Sequence, residues 1–88
     1  MSGKRIKFTF KDLDGKFRKV YLAGDFTDWG ENAIVMNRKG NGEWVVTKSL
    51  TFGEHEYKFV ADGKWIPDPR ANKKKSALGE ENSVIKVD

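Results

Sequence analysis

The feature that most limits what this chain can become is its period. Apolar residues recur at every second position, as in Ile6-Lys7-Phe8-Thr9-Phe10, which is the pattern of a strand with one buried and one wet face. Asp14-Gly15 then supplies a turn, and Phe17 to Ala23 reads as the return strand with Val20 and Leu22 on one face. Gly24 to Asn32 is a loop that carries Phe26 and Trp29, and Ile34 to Met36 reads as a short edge strand. After a turn over Asn37 to Gly42, Glu43 to Leu50 is a strand with Trp44, Val46 and Leu50 on one side. Gly53-Glu54 turns the chain into the strand His55 to Ala61, and Asp62-Gly63 is a strong hairpin signal leading to Lys64-Trp65-Ile66. Pro67 to Asn82, polar and with two prolines, reads as irregular loop before a last strand over Ser83 to Val87. No window carries an amphipathic helix. About seven short antiparallel strands separated by turn signals specify an all-β sandwich.

Size and composition fit that architecture. The 88 residues read as a single domain over 1–88, and a chain of this length buries roughly 60–65% of its unfolded surface. Six Phe, three Trp and two Tyr supply the mass of its core. With no cysteine there is neither a disulfide framework nor a thiolate metal site, which fits a reducing cytoplasm. Met1 to Arg5 has no hydrophobic stretch behind it, so it does not read as a signal peptide, and no apolar run is long enough for a membrane helix. The net charge of +4 raises nucleic acid as a partner. The lysines and arginines of the first fifth, however, alternate with other residues, and the run Lys73-Lys74-Lys75 reads as solvated loop surface. Neither nucleic acid nor membrane is expected as a partner.

Catalysis is not expected either. The single His55 lies in a strand between Glu54 and Glu56, with no second histidine or cysteine to share a metal, and reads as a satisfied or exposed strand residue. Asp25 and Asp28 are accounted for by turns and caps, and Glu80-Glu81 lie in a loop with no deep pocket to desolvate them. No phosphate loop opens a helix. No catalytic residue, metal site or cofactor is therefore assigned.

The tryptophans are more informative. Trp44, in phase with Val46 and Leu50, belongs to the core. Trp29, between Asp28 and Gly30, and Trp65, between the Asp62-Gly63 turn and Pro67, sit in or beside turns. There they either plug an end of the sandwich or face a ligand. A sugar is one ligand such rings suit: the C–H face of a glucopyranose is apolar and stacks on an electron-rich ring. Its hydroxyls then need donors and acceptors such as Lys58 and Asn82. By analogy with base stacking each ring would contribute about 1–3 kcal/mol, giving dissociation constants of roughly 10⁻³ to 10⁻⁵ M.

Three ordered segments carry a resemblance that spans nearly the whole chain. Val20 to Trp29 (VYLAGDFTDW), Gly53 to Trp65 (GEHEYKFVADGKW) followed by Asp68-Pro69, and Leu78 to Val87 (LGEENSVIKV) are similar to the signatures of family 48 carbohydrate-binding modules. That family includes the glycogen-binding domain of the AMP-activated protein kinase beta subunit and the N-terminal modules of glycogen branching and debranching enzymes. The resemblance implies an immunoglobulin-like, early-set sandwich with a shallow site for α-1,4-glucans: glycogen, starch or malto-oligosaccharides. It implies Trp29 and Trp65 as stacking platforms, Lys58 and Asn82 as hydrogen-bonding partners of glucose hydroxyls, and Leu78 as a contact against the sugar chain. Such a module would target an attached or partner enzyme, such as a catalytic or kinase domain, to the polymer. The alternative is an interaction module that kept the fold and lost its sugar. Three departures stand out: Glu80 replaces a frequent threonine, Val35-Met36 replaces Pro-Met, and Ser83 replaces a second asparagine, which would remove one hydrogen bond.

Overall fold

The computed structural model describes residues 3–75 and 79–88. Among them, nine strands form two antiparallel sheets: β1 (Gly3–Lys11), β2 (Val20–Gly24), β3 (Ile34–Val35), β4 (Asn37–Arg38), β5 (Glu43–Thr51), β6 (Gly53–Ala61), β7 (Lys64–Ile66), β8 (Asn72–Lys75) and β9 (Glu81–Val87). The smaller sheet runs β1-β5-β4, the larger β3-β2-β6-β9-β8, with β7 also paired to β6. The chain is thus the all-β sandwich that its period specifies.

The alternation decides which faces meet. Phe8, Phe10, Trp44 and Leu50 of the smaller sheet pack against Val20, Leu22, Tyr57, Phe59, Ala61 and Val87 of the larger. Aromatic pairs bridge the two layers, Phe8 edge-on to Tyr57 with centroids 5.0 Å apart and Phe10 to Phe59 at 5.2 Å. Fully burying side chains such as Leu22 and Phe59 contributes about 1.5–3 kcal/mol each. Met36 lies between β3 in one sheet and β4 in the other, and its buried side chain marks the point where the chain changes layer.

Two turns expected between successive strands are crossings between sheets instead, and Gly53-Glu54, expected as the second turn, already belongs to β6. β1 pairs with β5 and β2 with β6, so the turn around Asp14-Gly15 carries the chain from one layer to the other. Asp12 builds this corner: its carboxylate accepts the backbone N–H groups of Lys16 (3.1 Å) and Phe17 (3.0 Å). Likewise β5 and β6 follow each other with Phe52 alone between them, yet lie in different sheets. The Asp62-Gly63 hairpin is as expected, joining β6 to β7 with positive φ at both residues (49° and 85°), where glycine has no Cβ to clash. Asp62 adds a tertiary role, accepting from the backbone N–H groups of Arg18 and Lys19. Two short strands occupy stretches expected as turn or loop, β4 at Asn37–Arg38 and β8 at Asn72–Lys75. Both are fully exposed and pair along the margins of their sheets.

Candidate functional site

The larger sheet turns its core face toward Phe8 and Phe10, so every second residue points outward. Trp65 pairs with Val60, Val60 with Tyr21 and Tyr21 with Val35, which sets one row of apolar and aromatic side chains across β7, β6, β2 and β3. Trp65 and Val35 are about half exposed. Lys58, two residues from Val60, faces the same way. On that side of β6, β7 stands opposite Phe59 to Ala61 and β9 opposite Gly53 to Tyr57. Lys58 therefore faces the gap between two strands laid end to end. Continuing the Tyr57–Ser83 register by one step brings Asn82 beside Lys58 on the outer face.

Trp29 reaches this face from a loop. β2 ends at Gly24, where a Cβ would stand 2.6 Å from the Glu56 carbonyl oxygen and 2.7 Å from the Phe26 ring, so only glycine allows the strand to run this close. A single 3-10 turn over Asp25–Thr27 follows, and then Asp28 and Trp29 both adopt left-handed backbone, φ 51° and 58°. For a residue as bulky as tryptophan that conformation costs roughly 1–2 kcal/mol. The loop holds it in place: Trp29 N–H donates to the Gly24 carbonyl (2.9 Å), and the buried Thr27 hydroxyl lies 2.8 Å from the Trp29 carbonyl. The result sets Trp29 beside Trp65, with ring centroids 6.4 Å apart and planes inclined by 50°. Gly30 follows over the edge of the Trp65 ring. Strained backbone of this kind persists where the surrounding structure enforces it, and here it delivers a ring to a surface.

Of the five residues singled out in the sequence, four meet on this face. Trp29 and Trp65 adjoin, with neither plugging the core, while Trp44 is buried as expected. Lys58 is only 8% exposed, its stem packed down and its Nζ 4.0 Å from a carboxylate oxygen of Glu80. Asn82 is equally buried and donates through Nδ2 to Glu56 Oε1 at 3.0 Å, which leaves its carbonyl oxygen as an acceptor. Leu78 lies outside the described residues. Glu56 and Glu80 were not singled out as partners of these two side chains; Glu56 carried a signal, since it shares the parity of Lys58 along β6.

Ser83 differs from its expected part. It pairs with Tyr57 on the core face and is fully buried, and its hydroxyl accepts the Asp68 N–H at 2.6 Å. Its side chain is therefore not on the face that carries the tryptophans, and its hydroxyl joins an internal network instead. Asp68 in turn accepts the Tyr57 hydroxyl at 2.8 Å. Burial and that carboxylate together raise the Tyr57 phenol well above its ordinary range. This network pins the chain just after β7, beneath the outward-facing Trp65.

A cleft of about 570 Å³ opens elsewhere, between the end of β1 and the chain at Ile66 to Arg70, and contains none of Trp29, Trp65, Lys58 and Asn82. Two inclined aromatic planes, an ammonium and an amide oxygen can stack on apolar ring faces and hydrogen-bond the hydroxyls at their rims.

Residues 5–88 match the family described as the glycogen recognition site of AMP-activated protein kinase. The chain is 36% identical over 73 residues to the 5'-AMP-activated protein kinase subunit beta-1 of Sus scrofa, covering 83% of this chain and 57% of that protein. Against subunit beta-1 of Rattus norvegicus it is 38% identical over 73 residues, covering 83% of this chain and 26% of the relative. With subunit beta-2 of Mus musculus it shares 34% over 70 residues, 80% of this chain and 25% of the relative. The chain thus spans between about a quarter and just over half of these curated relatives.

Proposed function

Because the chain belongs to the family of glycogen recognition sites of AMP-activated protein kinase, we propose that it binds α-1,4-linked glucans without catalysis, through the outer face of its larger sheet. The observation that carries this reading is the adjoining pair of half-exposed Trp65 and partly buried Trp29, 6.4 Å apart and inclined by 50°, with Lys58 and Asn82 on the same face. An α-1,4-linked chain curves, so successive glucose rings present inclined faces that suit two inclined indoles. A β-1,4-linked ribbon is straight and flat and fits them poorly. The Lys58 ammonium donates to glucose hydroxyls and the Asn82 carbonyl accepts from them. Glu80, beside Lys58, competes for the same ammonium, which keeps binding in the millimolar to ten-micromolar range expected for two stacking platforms. The module's role is to carry an attached or partner enzyme, such as a catalytic or kinase domain, to the polymer.

An amide and indole NMR titration with maltoheptaose, with cellohexaose as control, tests the reading. Indole shifts at Trp29 and Trp65, a quiet Trp44 and inert cellohexaose are the expected result. No shifts at millimolar maltoheptaose would overturn it in favour of a module that kept the fold for protein contacts.

A further inference from the structure

The chain's one histidine ties the Trp29 loop to the sheet. His55 Nδ1 lies 3.1 Å from Asp25 Oδ1, and Nε2 lies 3.0 Å from the Thr51 carbonyl oxygen and 3.3 Å from the Thr51 hydroxyl. A carboxylate and a carbonyl oxygen only accept, so satisfying both requires both ring nitrogens to donate, which is the imidazolium form. The neutral ring keeps one N–H for Asp25 and turns its bare nitrogen to the Thr51 hydroxyl, giving up the carbonyl and the ion pair. The second oxygen of Asp25 accepts the Glu56 N–H at 2.9 Å, so this one carboxylate fastens the start of the loop to β6.

Across the sandwich, Lys4 of β1 and Lys48 of β5 are the cations on the inward side of the facing sheet, and neither is bonded to the ring among the described residues. Phe26 meets the ring edge-on at 6.0 Å, and Ile85 stands opposite on β9. Glu54 and Glu56, its neighbours along β6, point to the other face, where they meet Lys74 and Asn82. Asp25 is thus the one charged side chain bonded to the imidazole among the described residues. Four residues further on is Trp29, whose left-handed backbone needs the loop held closed.

Resting on the glucan reading of that face, we propose that Asp25 and His55 are a positioning pair for the Trp29 platform. The imidazolium clamps the loop over Asp25 to Asn32 against β6, and loss of its proton loosens Trp29 and weakens glucan binding.

Two-dimensional NMR of the 88-residue chain between pH about 5 and about 8, the span over which imidazoles titrate, tests this without and with maltoheptaose. In the free protein the Trp29 indole N–H should follow the His55 ring protons while Trp44 does not. The maltoheptaose dissociation constant should rise about two- to fivefold across that range. Asp25→Asn, which keeps an acceptor for the Glu56 N–H, should abolish both responses. His55→Gln gives a second check, with Trp29 fixed at one position at every pH. A Trp29 indole in the free protein that ignores His55, or one that still titrates in His55→Gln, overturns the pair whether or not the glucan binds. A Trp29 indole that follows His55 in a protein blind to maltoheptaose upholds the pair and removes the glucan reading instead.

Discussion

On the outer face of the smaller sheet, Arg5, Lys7, Thr9 and Lys11 of β1 stand opposite Ser49, Thr47, Val45 and Glu43 of β5. On the outer face of the larger sheet the row reads Trp65, Val60, Tyr21 and Val35, with Lys58 and Asn82 alongside. Both faces obey the same period, and both back onto the same core. The inner faces are interchangeable in kind, because each must present apolar side chains to the other. The outer faces owe nothing to that requirement, so what they display reflects something other than folding. Cations and hydroxyls on one side are ordinary solvated surface. Two half-dry indoles on the other, one at a cost in backbone strain, are the surface proposed for the glucan.

The sharpest break of this comparison sets an inner tryptophan against an outer one. Trp44→Ala empties a core site between the sheets and should destabilise the protein by about 3–5 kcal/mol in denaturant unfolding. Trp65→Ala removes a half-exposed ring and should change stability by less than about 1 kcal/mol. Equal losses in the two variants would mean that Trp65 belongs to the core and the faces are not distinct.

The same outer ring should matter where Trp44 does not. Trp29→Ala and Trp65→Ala should each cost about 1–3 kcal/mol of maltoheptaose binding, roughly 5- to 150-fold in calorimetric dissociation constant. Because the rings adjoin at 6.4 Å, the double variant should lose less than the sum. Strict additivity would indicate that the two rings hold separate sugars independently.

The sequence was most legible where burial writes a period into it. β1, β5 and β6 carry alternating large apolar residues, and the structure places them as strands with those residues inward. β4 and β8 were opaque for the opposite reason: Asn37-Arg38 and Asn72 to Lys75 bury nothing, and their strand character comes wholly from pairing with β5 and β9. Period also tells a face and not a partner, which is why the corner at Asp12 reads as a hairpin until β1 is seen beside β5. In the site, the residue types of Trp29, Trp65, Lys58 and Asn82 were legible, but their adjacency needs the register of three strands and a left-handed loop. The Asp25–His55 tie joins residues thirty apart and left no local trace.

A smaller effect is expected at the corner where the two faces' strands part. Burial raises the Asp12 carboxyl, but the Phe17 and Lys16 N–H groups, the Trp44 side chain and the Arg38 charge outweigh it, and its value falls below the ordinary 3.8. A carboxyl lowered on folding adds stability above its unfolded value, and that stability is lost as pH falls through the lower folded one. Asp12→Asn, which keeps one acceptor, should cost about 1 kcal/mol at pH 7. The gap to the unmodified protein should narrow as pH falls below the ordinary carboxyl value of 3.8 in urea unfolding. A gap that stays constant into acid would show that shape, not charge, makes the corner.

The smallest effect belongs to the face assigned no ligand, and its smallness is what gives it force. Lys7→Gln and Thr47→Val alter neighbouring exposed positions on the smaller sheet. Each should move stability by less than about 0.5 kcal/mol and leave maltoheptaose binding unchanged. A neutral sugar releases no counterions, so raising salt from about 50 to about 500 mM should shift its dissociation constant less than twofold. If Lys7→Gln weakened binding, or if salt did, the cationic stripe of β1 would be part of the recognition surface. The contrast between the two outer faces would then be one of chemistry shared across the molecule instead of one face reserved for the glucan.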